Sequence, residues 1–197
     1  MKFLLASDIH GSAEWCAKLM REIEREAPDK VLLLGDLLYH GPRNSLPENY
    51  ETMEVANMLN AVKDRIIAVR GNCDSEVDQM VLDFPCTADY AQVFGAFERD
   101  CASGSSAQDA DAGTSRGMRD TGAGTLIYCT HGHLHSPDDL PDIPAGSIFA
   151  SGHTHVQMLD EKWGVRIVNP GSVGLPRDGI HGYAIIEGGE IELQSLN

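Results

Sequence analysis

The chain has 197 residues, 42% of them hydrophobic, enough to bury one full core, so a single domain over residues 1–197 is expected. Its 30 Asp and Glu against 15 Lys and Arg leave a formal net charge of −15, a surface that repels polyanions and excludes a protein built to grip long DNA or RNA. No stretch reaches the ~18 consecutive apolar residues of a membrane span, the start MKFLLASDIHG meets Asp8 too early for a signal peptide, and the scattered Cys16, Cys73, Cys86, Cys101 and Cys129 make no disulfide framework, so a soluble, cytoplasmic protein is expected.

Residues 2–7 (KFLLAS) predict a buried strand closed by Asp8, Ile9, His10 and Gly11. At positions i and i+2 of an extended chain, Asp8 and His10 face the same way and can grip one cation. Ser12 is placed to cap a helix in which Trp15, Leu19 and Ile23 recur every four residues until Pro28. Residues 30–34 (KVLLL) read as a buried parallel strand ending in Gly35 and Asp36. The two prolines of residues 40–50 (HGPRNSLPENY) predict a loop beside the crevice, and residues 52–62 an amphipathic helix. Residues 65–69 (RIIAV) form the next strand, ending in Gly71, Asn72, Cys73 and Asp74, and residues 75–82 a short helix.

Beyond Tyr90 the pattern changes to adjacent strands, with residues 91–98 and 124–130 reading as a pair. Between them residues 99–123, rich in Ser, Gly, Ala and Asp with almost nothing to bury, predict a flexible surface insertion, most simply a tolerated hairpin extension. Residues 125–129 (TLIYC) lead into Thr130, His131, Gly132 and His133, and residues 148–151 into Gly152, His153, Thr154 and His155. Residues 165–168, 182–187 and 190–193 complete the strands, the last two joined at Gly188 and Gly189. They imply a second sheet packed on the first, hence an α/β sandwich of two facing sheets flanked by helices.

Asp8, His10, Asp36, Asn72, His131, His153 and His155 thus stand at strand ends, where open α/β sheets keep their binding crevices. Carboxylate, carboxamide and imidazole donors suit manganese, iron, cobalt, nickel or zinc, and the absence of CxxC spacing argues against a structural zinc site. Two such ions about 3.5–4 Å apart can hold a hydroxide and clamp the attacking and departing oxygens of a phosphoryl group. A crevice made positive by metal in an otherwise acidic molecule favours a small phosphoester over a polymer.

In order along the chain, DxH (Asp8, His10), GD (Gly35, Asp36), GNCD (residues 71–74), THGH (130–133), GHTH (152–155) and NPGS (169–172) resemble the calcineurin-like metallophosphoesterases. ASDIHGS, HGPRNSL and VRGNCDSEVDQM look closest to the small bacterial YfcE-type phosphodiesterases within them. The resemblance implies two mixed sheets with a binuclear site at their strand ends. Asp8, His10 and His155 would hold the first ion, Asn72, His131 and His153 the second, and Asp36 would bridge them. It implies two divalent ions, manganese first, and a homodimer or homotetramer. Many superfamily members place His after the Asn where this chain has Cys73; the YfcE type generally lacks that His too. Leaving-group protonation then falls to water on the metal or to His133, or a good leaving group makes it unnecessary. The stretch 99–123 departs from the much tighter turn usual in that type.

Substrate contact is assigned to His40, Arg43 and Cys73. His40 either touches substrate or orders its loop, and Arg43 either grips a non-bridging oxygen or pairs with a surface carboxylate. Asp74 and Asn169 are expected to steady the ligands by hydrogen bonds; His135 and His181 read as ordinary residues. The expected activity is hydrolysis of small phosphodiesters by a metal-bridging hydroxide, with Asp36, Asn72 and His133 as catalytic residues. A phosphomonoesterase or nucleotidase on the same centre is the first rival. A non-catalytic protein-interaction scaffold like the small retromer subunit is the second, and an exonuclease of the double-strand-break type is disfavoured by charge and size.

Overall fold

In the computed structural model, which describes residues 1–95 and 124–197, strand β1 (Lys2–Ala6) shows why its apolar run is unbroken. Leu4 and Ala6 point into a core shared with helices α1 (Ala13–Glu26) and α2 (Thr52–Asn60), while Phe3 and Leu5 point into a second core between two sheets. Strand β2 (Lys30–Leu33) alternates in the same way, Val31 and Leu33 toward the helices and Leu32 toward the other sheet. The predicted insertion at 99–123 lies outside the described residues.

The chain continues through β3 (Ile66–Ala68), β4 (Tyr90–Gly95), β5 (Thr125–Thr130), β6 (Ile148–Ala150), β7 (Gln157–Lys162), β8 (Val165–Pro170), β9 (Gly182–Glu187) and β10 (Glu190–Ser195). Two five-stranded sheets result, ordered β10-β9-β1-β2-β3 and β4-β5-β6-β8-β7. Both are mixed: β1, β2 and β3 run parallel while β9 lies antiparallel to β1, and β5, β6 and β8 run parallel between antiparallel β4 and β7.

Four expectations need correction. The carboxyl-terminal hairpin extends the first sheet rather than building the second, because β9 pairs with β1 from Lys2↔Glu187 to Leu5↔Ala184. Strand β7 was not expected at all, since QMLDEK exposes Leu159, Asp160 and Glu161 and has no apolar alternation; it is an edge strand that charge protects from further pairing. Residues 75–82 contain only a single 3₁₀ turn at Asp78–Met80. The two facing sheets are flanked by helices as expected, both described helices packing on the first, while the outer face of the second, Tyr128, Phe149, Val165 and Ile167, is covered by Leu140 and Ile143 from a loop. Ser12 does sit at the head of α1, but its hydroxyl donates to Glu48 O at 3.1 Å instead of capping.

Candidate metal centre

Strands β1, β2, β3, β5 and β6 each end at the same edge of the sandwich, and the segments that follow carry all seven predicted donors. Local backbone does more here than extended geometry. Asp8, His10, Asp36, His153 and His155 all have φ between 52° and 68°, a left-handed conformation uncommon outside glycine. Asp8 and His10 therefore face one point because two left-handed residues bend the chain, not because an extended strand alternates. Asp8 N–H donates to Gly35 O at 3.0 Å and His10 N–H to Asp36 O at 2.9 Å, which locks the first two segments together.

Each buried imidazole spends one nitrogen on holding itself in place. His10 Nδ1 donates to Tyr39 O at 2.8 Å, His155 Nδ1 to Leu175 O at 2.5 Å and His131 Nδ1 to Leu34 O at 2.7 Å. In the neutral rings the lone pair is then on Nε2, and these lone pairs aim at one another and at carboxylates. The Nε2 atoms of His10 and His155 are 3.2 Å apart, with Asp8 Oδ1 at 3.5 and 3.2 Å from them. Beyond Asp36, His131 Nε2 meets His153 Nδ1 at 3.2 Å, Asn72 Oδ1 at 3.0 Å and Asp36 Oδ2 at 3.4 Å. Asp36 Oδ2 also lies 3.7 Å from His10 Nε2, between the two groups.

Acceptors so arranged have nothing to receive except protons or cations. Asp8 Oδ1 is buried with no hydrogen-bond partner. Burial opposes a charge on His131, but Asp36 and Asp8 outweigh it and push the ring up to about 9. Burial likewise opposes ionisation of Asp8, yet His10 and His155 hold its carboxyl well below the usual range. The residues fit divalent ions: Asp8 with His10 and His155, and Asp8 and Asp36 with His131, are two groups whose ligand atoms lie within 4.8 Å of one another.

The supporting shell matches the expectation for Asp74 and Asn169. Asp74 Oδ2 accepts the N–H groups of Asp36 at 2.7 Å and Gly71 at 2.8 Å, and Oδ1 that of Leu37 at 2.8 Å, so one carboxylate ties the loop after β3 to the Asp36 turn. Burial raises Asp74 to about 6, with Asp36 adding to the effect. Asn169 Nδ2 donates to Gly152 O at 2.7 Å, bracing the segment that presents His153. A Cβ on Gly71 would overlap the Asp36 carboxylate, so only glycine fits there.

A cavity of about 570 Å³ opens onto this centre. Asp36, Asn72, His153 and His155 line it, as do Cys73 and Arg43, but not His40, whose ring packs edge-on to Tyr39 and Tyr50 at 4.8 and 5.2 Å. Burial, with Asp36 next, pushes the Cys73 thiol up to about 12, so the group facing the cavity is a neutral thiol. His133 is tilted against His131 and His153 at 5.4 and 6.3 Å between ring centroids, and its Nδ1 is buried without a partner. His135 packs edge-on to Tyr128, and His181 stacks on Trp15 at 3.3 Å. Arg177 and Tyr39 also line the cavity and were missed. Nothing in the stretch GLPRDG says where its arginine folds.

The profile of the Calcineurin-like phosphoesterase superfamily domain matches residues 1–190. The chain belongs to this superfamily. Phosphodiesterase YfcE of Escherichia coli (strain K12) is a relative 36% identical over 198 residues, covering 100% of this chain and 93% of that protein. The structure of the E. coli phosphoesterase Yfce superposes with a TM-score of 0.78 at 33% identity, covering 100% of both chains. Vacuolar Protein Sorting 29 from Cryptosporidium parvum shares the fold at a TM-score of 0.54 and 18% identity, over 98% of this chain and 95% of that one. This calcineurin-like chain is a phosphoesterase of the YfcE type, with candidate ligand groups for metal at its strand ends. Among the described residues no helix is long and apolar enough to cross a membrane.

Proposed function

We propose that this chain acts, as one domain, as a two-metal phosphodiesterase on small phosphodiesters. The observation that supports this most is the convergence of ring Nε2 atoms on Asp8 and Asp36 while the opposite ring nitrogens are committed to backbone carbonyls. Asp8, His10 and His155 would hold one ion, Asn72, His131 and His153 the other, and Asp36 both. When bound, the ions would neutralise charge on the phosphoryl oxygens and supply a nucleophilic water at neutral pH.

The chain's own groups set up that chemistry. Cys73 N–H donates to Asp36 Oδ1 at 2.7 Å, which leaves Oδ2 directed at the two histidines. Arg43, on the cavity wall, contacts an anionic group of the substrate, with Cys73 beside it as a neutral contact. His40 orders the loop that carries Arg43 through its contacts with Tyr39 and Tyr50. His133 is assigned the proton for a poor leaving group; an unchanged rate on such a substrate in His133→Ala would remove it from that role. Manganese as the ion, the cytoplasm as the compartment and a homo-oligomeric state belong to the same proposal.

Stripping the metal, restoring each divalent ion in turn and comparing bis-p-nitrophenyl phosphate with p-nitrophenyl phosphate tests it. Faster hydrolysis of the diester is expected, with manganese among the best ions. A preference for the monoester would favour a phosphomonoesterase or nucleotidase, and no hydrolysis with any ion would leave a binding scaffold as the better reading.

A further inference from the structure

Two guanidinium groups flank the candidate centre and take no part in holding it. Arg43, in the loop after β2, and Arg177, in the turn after β8, both line the 570 Å³ cavity. Among the described residues Arg43 and Arg177, like Arg21, Arg65 and Arg166, have no carboxylate partner within 4.0 Å, but of these only Arg43 and Arg177 line the cavity at the centre. The carboxylate adjacent to Arg177 is already engaged: Asp178 Oδ2 accepts Gln157 N–H at 2.8 Å and Oδ1 accepts Ile180 N–H at 2.9 Å.

The Arg177 backbone is tied to the segment carrying His155, its N–H donating to His155 O at 2.9 Å. A second cavity of about 500 Å³ opens beyond, and it shares Arg43, Asn44, His155 and Arg177 with the first. The arginines therefore stand where the cleft passes from the centre to a further space lined by Ser45, Pro176 and His181.

We propose that Arg43 and Arg177 form an anion-binding subsite that selects phosphodiesters carrying a second anionic group, a phosphate or a carboxylate, beyond the scissile phosphate. This rests on the phosphodiesterase reading. Two divalent ions would be balanced by the carboxylates of Asp8 and Asp36, a hydroxide and a singly charged diester together, so the arginines would be surplus to the scissile group. Their planar forks match phosphate and carboxylate oxygens, and two like charges at one mouth repel each other until an anion lies between them. The cavity is of a size that takes a small ligand.

Thymidine 5′-(p-nitrophenyl phosphate) and its 3′-phosphate differ by one anionic group, and the 3′-O-succinyl derivative offers a carboxylate in its place. With manganese-loaded enzyme, kcat/KM should rise roughly 10–100-fold on adding the favoured anion, mainly through KM. The compound with the larger gain identifies phosphate or carboxylate as the group recognised. Arg177→Gln should bring that ratio toward one and Arg177→Lys should keep an intermediate value, whereas a merely structural defect would lower all three substrates alike. Calorimetry on the metal-free protein gives a second readout: binding of thymidine 3′,5′-bisphosphate should weaken about tenfold in Arg177→Gln. A ratio near one in the unaltered enzyme, or a ratio and affinity unmoved by Arg177→Gln, overturns the subsite. Turnover of bis-p-nitrophenyl phosphate without gain from either anion strikes the subsite alone; inertness toward every diester with every ion strikes the phosphodiesterase reading and the subsite with it.

Discussion

On one side of Asp36, Asp8, His10 and His155 are 0, 0 and 4% exposed, and all three residues have left-handed backbone. On the other side His131 is equally buried, but Asn72 is exposed, His153 is partly exposed, and neither Asn72 nor His131 is left-handed. The closed side draws on segments knitted by backbone hydrogen bonds, such as Asp8 N–H to Gly35 O and Gly174 N–H to Asp8 O, both 3.0 Å. The 570 Å³ cavity is lined by Asn72 and His153 of the open side and by His155 alone of the closed one. A site divided this way keeps one half rigid and leaves the other accessible. Strain stored in left-handed ligands is affordable only where the surrounding fold over-determines them.

The sharpest attempt to break this picture is at the residue the two sides share. Asp36→Asn should lower turnover roughly 10³-fold or more, since metal chemistry supplies several kcal/mol, and should reduce the content of both ions by elemental analysis. A variant that stays active, or that loses only one ion, would end the shared role of Asp36.

Stability should separate the two sides next. In metal-free protein, His10→Ala should destabilise by roughly 3 kcal/mol, because it strips the buried Asp8 carboxylate of a compensating ring, whereas His153→Ala, at a partly exposed position, should cost about 1 kcal/mol or less. Urea unfolding measures both, and equal losses would erase the distinction. At the loop joining the two sides, Asp74→Asn replaces one acceptor oxygen by an NH₂ facing backbone N–H groups, so metal affinity should fall about 10–100-fold with the fold intact. Unchanged affinity would show that the Asp36 turn needs no such brace.

The smallest expected effect concerns pH. Without metal, His131 holds its proton until about pH 9, burial opposing that charge and Asp36 outweighing it. An incoming cation must displace the proton, so affinity should increase as pH rises from 7 toward about 9, by at most about tenfold per unit from this one group. Its contribution to the stability of the metal-free protein runs the other way: the raised pKa is stabilising at low pH and is lost as pH rises through about 9. Affinity that is flat over this window, measured by competition with a chelator, would show that His131 is not charged before metal arrives.

The convergence of the seven proposed donor positions at one edge of the sandwich was legible in the chain because each follows a short apolar run and sits in a compact motif such as DIH, GD or GHTH. The support offered by Asp74 and Asn169 was legible for the same reason. Arg177 was not, since its approach to the centre depends on a hydrogen bond to His155, a residue far away in the chain. Strand β7 was hidden because an edge strand facing water has no apolar period to betray it. The place of the last hairpin was hidden because GYAIIE can pair with any buried strand, and only the register with β1 selects the first sheet.

The sequence by itself determined that this chain carries a set of carboxylate, carboxamide and imidazole side chains at the ends of buried strands, because local motifs and the unbroken apolar runs of doubly covered strands are written residue by residue. Which ring nitrogen points inward, which donors share a pocket, and which arginines reach its mouth were decided only by tertiary structure. Those facts depend on carbonyls such as Tyr39 O, Leu34 O and Leu175 O that come from other parts of the chain and orient each imidazole.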